Sequence, residues 1–67
     1  MEKTYDVVFN DDENGNSKGF AVSFDEAKEY IKQHNGTNES YFADYIGGTV
    51  SIVCNQTGRI AYQEDVI

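Results

Sequence analysis

The sequence predicts an α+β fold, β-β-α-β-β-β, in which one helix packs on one face of a single antiparallel sheet. Two observations lead to it: short segments in which apolar and polar residues alternate, and one segment with helical spacing behind a capping box. At 67 residues, the chain is near the size at which one core just outweighs conformational entropy. All elements must therefore share one core, and we expect a single small α+β domain over residues 1–67.

The first two predicted strands enclose a polar loop. Residues 3–9 alternate between apolar and polar side chains, which predicts a strand, and residues 18–22 predict its short partner. The stretch 10–17 between them is too long for a two-residue turn and is rich in Asn and Gly. We therefore expect a hairpin with a polar tip.

The next segment has the clearest local signal. Ser23 and Glu26 form a capping box, so a helix should begin at Phe24. Its apolar stripe consists of the residues at i, i+3, i+7 and i+10, namely Phe24, Ala27, Ile31 and His34. Asn35 and Gly36 predict the end of the helix, because a left-handed residue commonly stops one.

Three further strands are predicted after the helix, at residues 39–46, 49–54 and 59–63. Alternation leaves two candidate buried faces for the first of them, Tyr41/Ala43/Tyr45 and Phe42/Asp44/Ile46. The sequence favours neither face. Because one helix covers only one side of a five-stranded sheet, we expect some of these aromatic side chains on the side away from the helix.

The register of the last hairpin depends on a glycine. If Gly58 takes the extra position of a G1 bulge, Cys54 pairs with Ile60. Ile52 then pairs with Tyr62, and both apolar sets lie on one face of the sheet. Gly58 should be sensitive to substitution, because only glycine adopts a positive φ at little cost.

The hairpin tip resembles the start of a calcium-binding loop. The spacing Asn10-x-Asp12-x-Asn14, followed by glycine, matches the first oxygen ligands of an EF-hand. The pattern then fails, because Lys18 holds the ninth position and Ala21 the twelfth, where a bidentate glutamate belongs. We expect a loop without an ion, with weak calcium binding by Asn10, Asp12 and Asn14 as the alternative.

The sequence contains few residues or motifs that indicate zinc binding, phosphate binding or catalysis. His34 and Cys54 are the only soft metal ligands, which are too few for a zinc site. We expect His34 to interact with the helix C-terminus and Cys54 to be buried and inert. Phosphate-binding fingerprints are absent, and so small a domain rarely encloses a pocket, so we expect neither an enzyme nor a cofactor.

The charge and composition of the chain argue against nucleic acids and membranes as binding partners. The net charge is −7, and the five basic residues form no run, so direct nucleic-acid binding is not expected. No apolar run has the length of a signal peptide or a membrane span, and the single cysteine fits a reducing compartment. We expect a cytoplasmic protein without membrane contact.

These features are typical of small accessory proteins that act by contacting another protein, often ones carried by phages or mobile elements. We expect a protein-interaction module, either a monomer or a homodimer. The candidate contact residues are two tyrosines and three acids of the hairpin tip: Tyr41, Tyr45, Asp11, Asp12 and Glu13. An alternative is an acidic mimic of nucleic acid that blocks a basic groove, which would require the acid clusters to converge.

Overall fold

A computed structural model describes residues 3–10, 15–37 and 40–67 of the chain. The described part forms one antiparallel sheet with a single helix packed against it, which confirms the predicted α+β class. The elements are β1 (Tyr5–Asn10), β2 (Gly15–Ser17), α1 (Phe24–His34), a 3-10 helix (Ser40–Asp44), β3 (Thr49–Cys54) and β4 (Ile60–Asp65). The strand order across the sheet is β2-β1-β3-β4, so the predicted fifth strand is wrong.

Helix α1 forms where local signals predict it. The Ser23 hydroxyl accepts the Glu26 N–H at 3.1 Å, and the Glu26 carboxylate accepts the Ser23 N–H at 3.4 Å, which completes the capping box. The helix begins at Phe24, as predicted. At the other end Asn35 is extended, and only Gly36 takes a positive φ of 87°. The glycine therefore provides the left-handed stop.

The partner of β1 lies earlier in the chain than predicted. β2 pairs with the second half of β1, with Val8 opposite Ser17 and Asn10 opposite Gly15. Within the predicted strand 18–22, only Val22 pairs with β1, through an isolated bridge to Tyr5. The prediction of a strand at 18–22 is therefore wrong.

Backbone conformation and a buried carboxylate explain this interruption. Gly19 and Ala21 have positive φ values of 65° and 51°, which are incompatible with an extended strand. In a regular strand at 18–22, the Phe20 N–H would donate to a backbone carbonyl of β1. Here it donates instead to Oδ1 of the Asp6 carboxylate at 2.8 Å, and the same oxygen accepts the Val7 N–H at 2.8 Å. Asp6 is buried, and these two donors compensate for its removal from water.

The predicted strand at 39–46 is also wrong, because Ser40–Asp44 is a 3-10 helix. In such a helix, residues three apart lie on the same side. Phe42 and Tyr45 accordingly both contact Phe9 of β1, with ring centroids 4.9 and 5.2 Å away. The turn buries aromatic rings that an extended strand would have sent to opposite faces.

The β3–β4 hairpin keeps one predicted pair and loses the other. Ile52 pairs with Tyr62, as predicted, but Ile60 lies opposite Val53 instead of Cys54. The register shifts between these two pairs, which leaves Ala61 as the extra residue of a bulge within β4.

Gly58 has the expected positive φ, 72°, but it belongs to the turn and not to the bulge. Its N–H donates to the Cys54 carbonyl at 2.7 Å, and the Cys54 N–H donates to the Arg59 carbonyl at 2.9 Å. Cys54 is thus opposite Arg59, and the chain needs a second irregularity at Ala61 to bring Tyr62 back to the helix side.

The core lies between the sheet and the two helical segments. Residues from every element except β2 and β4 contribute to it, together with one from the chain after β4: Val7, Phe9, Ala27, Ile31, Phe42, Val50, Ile52 and Val66. Helix α1 packs on β1 and β3, the two central strands. No helix within residues 3–10, 15–37 and 40–67 is long and apolar enough to cross a membrane.

We expect Ser23→Ala to lower the free energy of unfolding by about 1 kcal/mol, because the Glu26 N–H loses its acceptor. Urea unfolding followed by circular dichroism measures the change. Ser17→Ala, which alters an exposed serine of β2, is the matched control and should have little effect. Equal destabilisation by the two substitutions would contradict a specific role for the cap.

Candidate functional site

The first candidate surface is an aromatic patch at the β2 side of the sheet, formed by Lys18, Tyr41 and Tyr45, and we include with it the exposed Ile46, which follows Tyr45 in the chain. We call it the tyrosine patch. The side chains of Tyr41 and Ile46 are 41% and 57% exposed, while Tyr45 is half-buried. Tyrosine is among the side chains that most often anchor protein contacts.

The tyrosine patch is supported by the core beneath it. The Tyr45 ring stacks on Phe9 at 5.2 Å between centroids, and Tyr41 lies 5.8 Å from the same ring. Phe9 is fully buried, so both tyrosines pack against a fixed surface. The Asn16 side-chain amide donates to the Tyr45 hydroxyl and further limits the motion of that ring.

Lys18 completes the patch and was not among the residues predicted for it. Its ammonium lies 4.2 Å from the centroid of Tyr41 and 5.7 Å from that of Tyr45, which is cation–π geometry. Sequence separation hid this contact, since Lys18 and Tyr41 are 23 positions apart. The lysine ammonium covers a face of the Tyr41 ring, whereas the Tyr45 ring stacks on Phe9 and its hydroxyl is bonded to Asn16.

The position of the two tyrosines corrects one expectation. They were expected on the sheet face away from the helix, but they contact Phe9, whose ring also meets Phe42. Phe42 in turn packs on Tyr30 of α1, at 5.7 Å. The patch therefore lies on the helix side, because the 3-10 helix carries its aromatic residues into the same layer as α1.

The remaining predicted site residues belong to the tip of the first hairpin. Asp11, Asp12, Glu13 and Asn14 lie outside the described residues. Asn10 ends β1, between its cross-strand partners Gly15 and Thr49.

The seventh position of the calcium motif, Asn16, should donate its carbonyl to the ion but is paired with Phe9 in the ladder. Lys18, at the ninth position, lies on the tyrosines. Within the described ranges there is no group of three His, Cys, Asp or Glu residues able to hold a metal ion.

The second candidate surface is an open cleft between α1 and β4. It exists because α1 packs over the two central strands and leaves β4 beside it. Its walls carry charges of both signs, from Asp25, Lys28, Glu29, Lys32 and Glu64. The Lys28 ammonium lies 4.4 Å from the centroid of the Tyr62 ring.

Hydrogen bonds already engage the acid of β4 in this cleft. The Tyr62 hydroxyl donates to Glu64, and that hydrogen bond raises the pKa of Tyr62, as do burial and the charge of Glu64. The Asn35 amide donates to the other Glu64 oxygen at 2.5 Å. Asp25, Glu29 and Glu64 thus converge here. Lys28 and Lys32 lie among these acids and interrupt the negative potential that a nucleic-acid mimic needs.

The third candidate surface is a shallow depression around Cys54, which is only 5% exposed, as expected. The hydroxyl and backbone N–H of Thr57 hydrogen-bond the thiol and lower the pKa of Cys54, against the effect of burial. The charge of Lys3 acts in the same direction, and Arg59 lines the depression. No cation is next to Cys54 in the sequence; folding brings both of them to it.

The His34 side chain is half-buried among aromatic rings. Its ring packs between Tyr30 and Phe42, at 4.7 and 6.4 Å between centroids. Its Nδ1 finds no hydrogen-bond partner in the described part of the chain. The residue lies in the last turn of α1, as predicted, and its main contribution is to the aromatic layer.

We expect Thr57→Val to raise the pKa of Cys54, because the thiolate loses the Thr57 hydroxyl donor. The Arg59 N–H loses its Thr57 acceptor in the same variant, so circular dichroism first confirms that the fold is kept. A smaller thiolate fraction means slower alkylation at neutral pH. The pH dependence of iodoacetamide labelling measures it, with Thr37→Val as control. An unchanged or lowered midpoint would contradict the assignment.

Comparison with protein-family models, curated proteins and solved structures finds no match to this chain. What the protein binds must therefore be inferred from its own surface. Of the three surfaces, the tyrosine patch combines exposed aromatic area with rigid support from the core.

Proposed function

We propose that this protein is a small acidic accessory protein that works in the cytoplasm by binding another protein through the tyrosine patch. The observation that supports it most directly is the pair of tyrosines held against the buried Phe9 ring. Aromatic side chains that are already fixed in place lose little conformational entropy on binding. They offer apolar rings and polar hydroxyl groups to the same partner.

The charge of the chain favours a basic partner. With a net charge of −7, the protein attracts positively charged surfaces over a range set by the ionic strength. Lys18 keeps its positive charge beside Tyr41, so we expect the basic residues of such a partner to lie away from this lysine. Asp11, Asp12 and Glu13 follow the strand that carries Phe9 and remain candidates for contact with basic residues.

The proposal is tested by affinity capture from cells of the source organism, with three baits compared. The wild-type chain should retain a basic protein that elutes as the salt concentration rises. A Tyr41→Ala/Ile46→Asp bait should lose it, because the aromatic anchor is removed and a charge enters the patch. Ile67→Asp, which changes an exposed isoleucine outside the patch, should retain it.

Two results would contradict the proposal. One is that the wild-type bait retains no protein at low salt. The other is that the Tyr41→Ala/Ile46→Asp bait and the Ile67→Asp bait retain the same proteins in the same amounts. Circular dichroism of each bait confirms that the fold is intact before capture.

Weak calcium binding at the hairpin tip remains the alternative function, and the ladder geometry makes it less favoured. Asn16 is paired within the sheet, and Lys18 brings a cation to the neighbourhood of the site. We expect millimolar calcium to leave the amide NMR signals of Asn16 and Ser17 in place. A saturable shift that disappears in an Asn10→Ala/Asp12→Ala variant would show that the loop binds calcium after all.

A further inference from the structure

Strand β4 is an edge strand of the sheet. It pairs with β3 on one side, and on the other side no strand of the described chain covers it. An edge strand presents a row of backbone N–H and C=O groups that can pair with another chain. At six residues, β4 is long enough to accept such a partner, whereas β2 at the opposite edge has only three.

One end of this edge is already covered. The Asn35 side-chain amide donates to the Asp65 carbonyl at 3.0 Å, and its Oδ1 accepts the Ile67 N–H at 3.0 Å. An amide that both donates and accepts in this way imitates a neighbouring strand. The open part of the edge therefore lies toward the start of β4, around Ile60–Gln63.

The hydrogen-bond pattern identifies groups that face outward. Val66 donates to the Gly48 carbonyl and its own carbonyl accepts the Gly47 N–H, so its polar groups point toward the β3 side. Alternation along an antiparallel ladder then turns those of Asp65 and Gln63 outward, in agreement with the Asn35 contact at Asp65. The Gln63 N–H is thus available to a strand added at the edge.

The charges of β4 are arranged in a way that suits a second copy of the same strand. Arg59 precedes its first residue, while Glu64 and Asp65 end it. When two identical strands pair in antiparallel fashion about a two-fold axis, the start of each lies beside the end of the other. When the outward-facing Gln63 pairs with Ile60 of the second copy, each Arg59 lies opposite Glu64 of the other copy on the same face of the sheet, and both contacts are attractive. Asp65 lies on the other face, opposite Thr49, and its carbonyl is already bonded to Asn35.

We propose that two copies of this chain associate through their β4 edges, in antiparallel orientation, to form one continuous sheet across the dimer. This surface is distinct from the tyrosine patch, so the proposal does not depend on the proposed function. If the charges of β4 served only to prevent pairing, charges of one sign along the whole strand would repel a second copy most strongly. Opposite charges at opposite ends instead favour self-pairing, and Ile60, which is 58% exposed, adds apolar area to the contact.

The dimer should be weak. The Ala61 bulge interrupts the ladder, and Asn35 occupies the end of the edge, so only a short run of backbone bonds can form. An interface of that size falls below the area of stable complexes. Association is therefore expected at high protein concentration, which suits a protein that exchanges between free and bound forms.

The test is a charge-swap series followed by sedimentation equilibrium. Arg59→Glu alone and Glu64→Arg alone should each weaken self-association by about tenfold or more, because both symmetric contacts become repulsive. An equimolar mixture of the two variants should associate again, since each glutamate at position 59 then meets an arginine at position 64. The double variant Arg59→Glu/Glu64→Arg should regain the wild-type behaviour, and it keeps the net charge of −7. Because Glu64 also accepts hydrogen bonds from Tyr62 and Asn35, circular dichroism first confirms that each variant is folded.

A second measurement locates the contact. Amide exchange at Gln63 should slow as the wild-type concentration rises, while exchange at Asn16 of β2 should not. The proposal is overturned if the wild-type chain stays monomeric at millimolar concentration, or if the single variants associate as well as the wild type. It is also overturned if the double variant fails as the single variants do, or if a captured protein, and not a second copy, protects the Gln63 amide.

Discussion

The edge-to-face contact between Phe9 and Phe42 is the interaction on which the rest of this structure depends. The two rings lie 4.9 Å apart at an interplanar angle of 88°, and both are fully buried. Such a pair contributes about 1 kcal/mol beyond the burial of its surface. The contact also holds the 3-10 helix against β1, beside helix α1, where Phe42 meets Tyr30. Tyr41 and Tyr45 come with Phe42 and form the margin of the core, which is why the tyrosine patch is rigid.

At the other edge of the sheet, strand β4 is not covered by helix α1. Helix α1 packs over β1 and β3, which leaves a cleft above β4. Within the described residues, β4 pairs with β3 and with no other strand. Asn35, at the end of α1, partly compensates by bonding to Glu64 and to the backbone after β4. The two proposed contact surfaces thus lie at opposite edges of the sheet, one beside β2 and one at β4. A chain that binds a partner at one edge can pair with a second copy at the other.

Predictions from the sequence succeeded where the signal is local and failed where a distant contact decided the outcome. The Ser23 cap and the helix start at Phe24 are confirmed, because the capping residues are three positions apart. The strand at 49–54 is confirmed with the same bounds. The strand predicted at 39–46 is a 3-10 helix, since its alternating aromatic residues also satisfy a three-residue spacing, and only the position of Phe9 selects between the two patterns. The candidate tyrosines were therefore identified correctly as partly exposed but assigned to the wrong face.

The sequence by itself determined the α+β class, the bounds of the helix and the strong negative charge, because these follow from composition and from contacts between near neighbours. Only the tertiary structure decided that Lys18 covers Tyr41, that Asp6 replaces a ladder bond, that Ala61 carries the bulge, and that Lys3 lies near Cys54. Each of these depends on residues brought together by strand pairing across the sheet. A free β4 edge with opposite charges at its two ends is likewise invisible until the strand order is known, because the sequence shows the charges but not which strand lacks a neighbour.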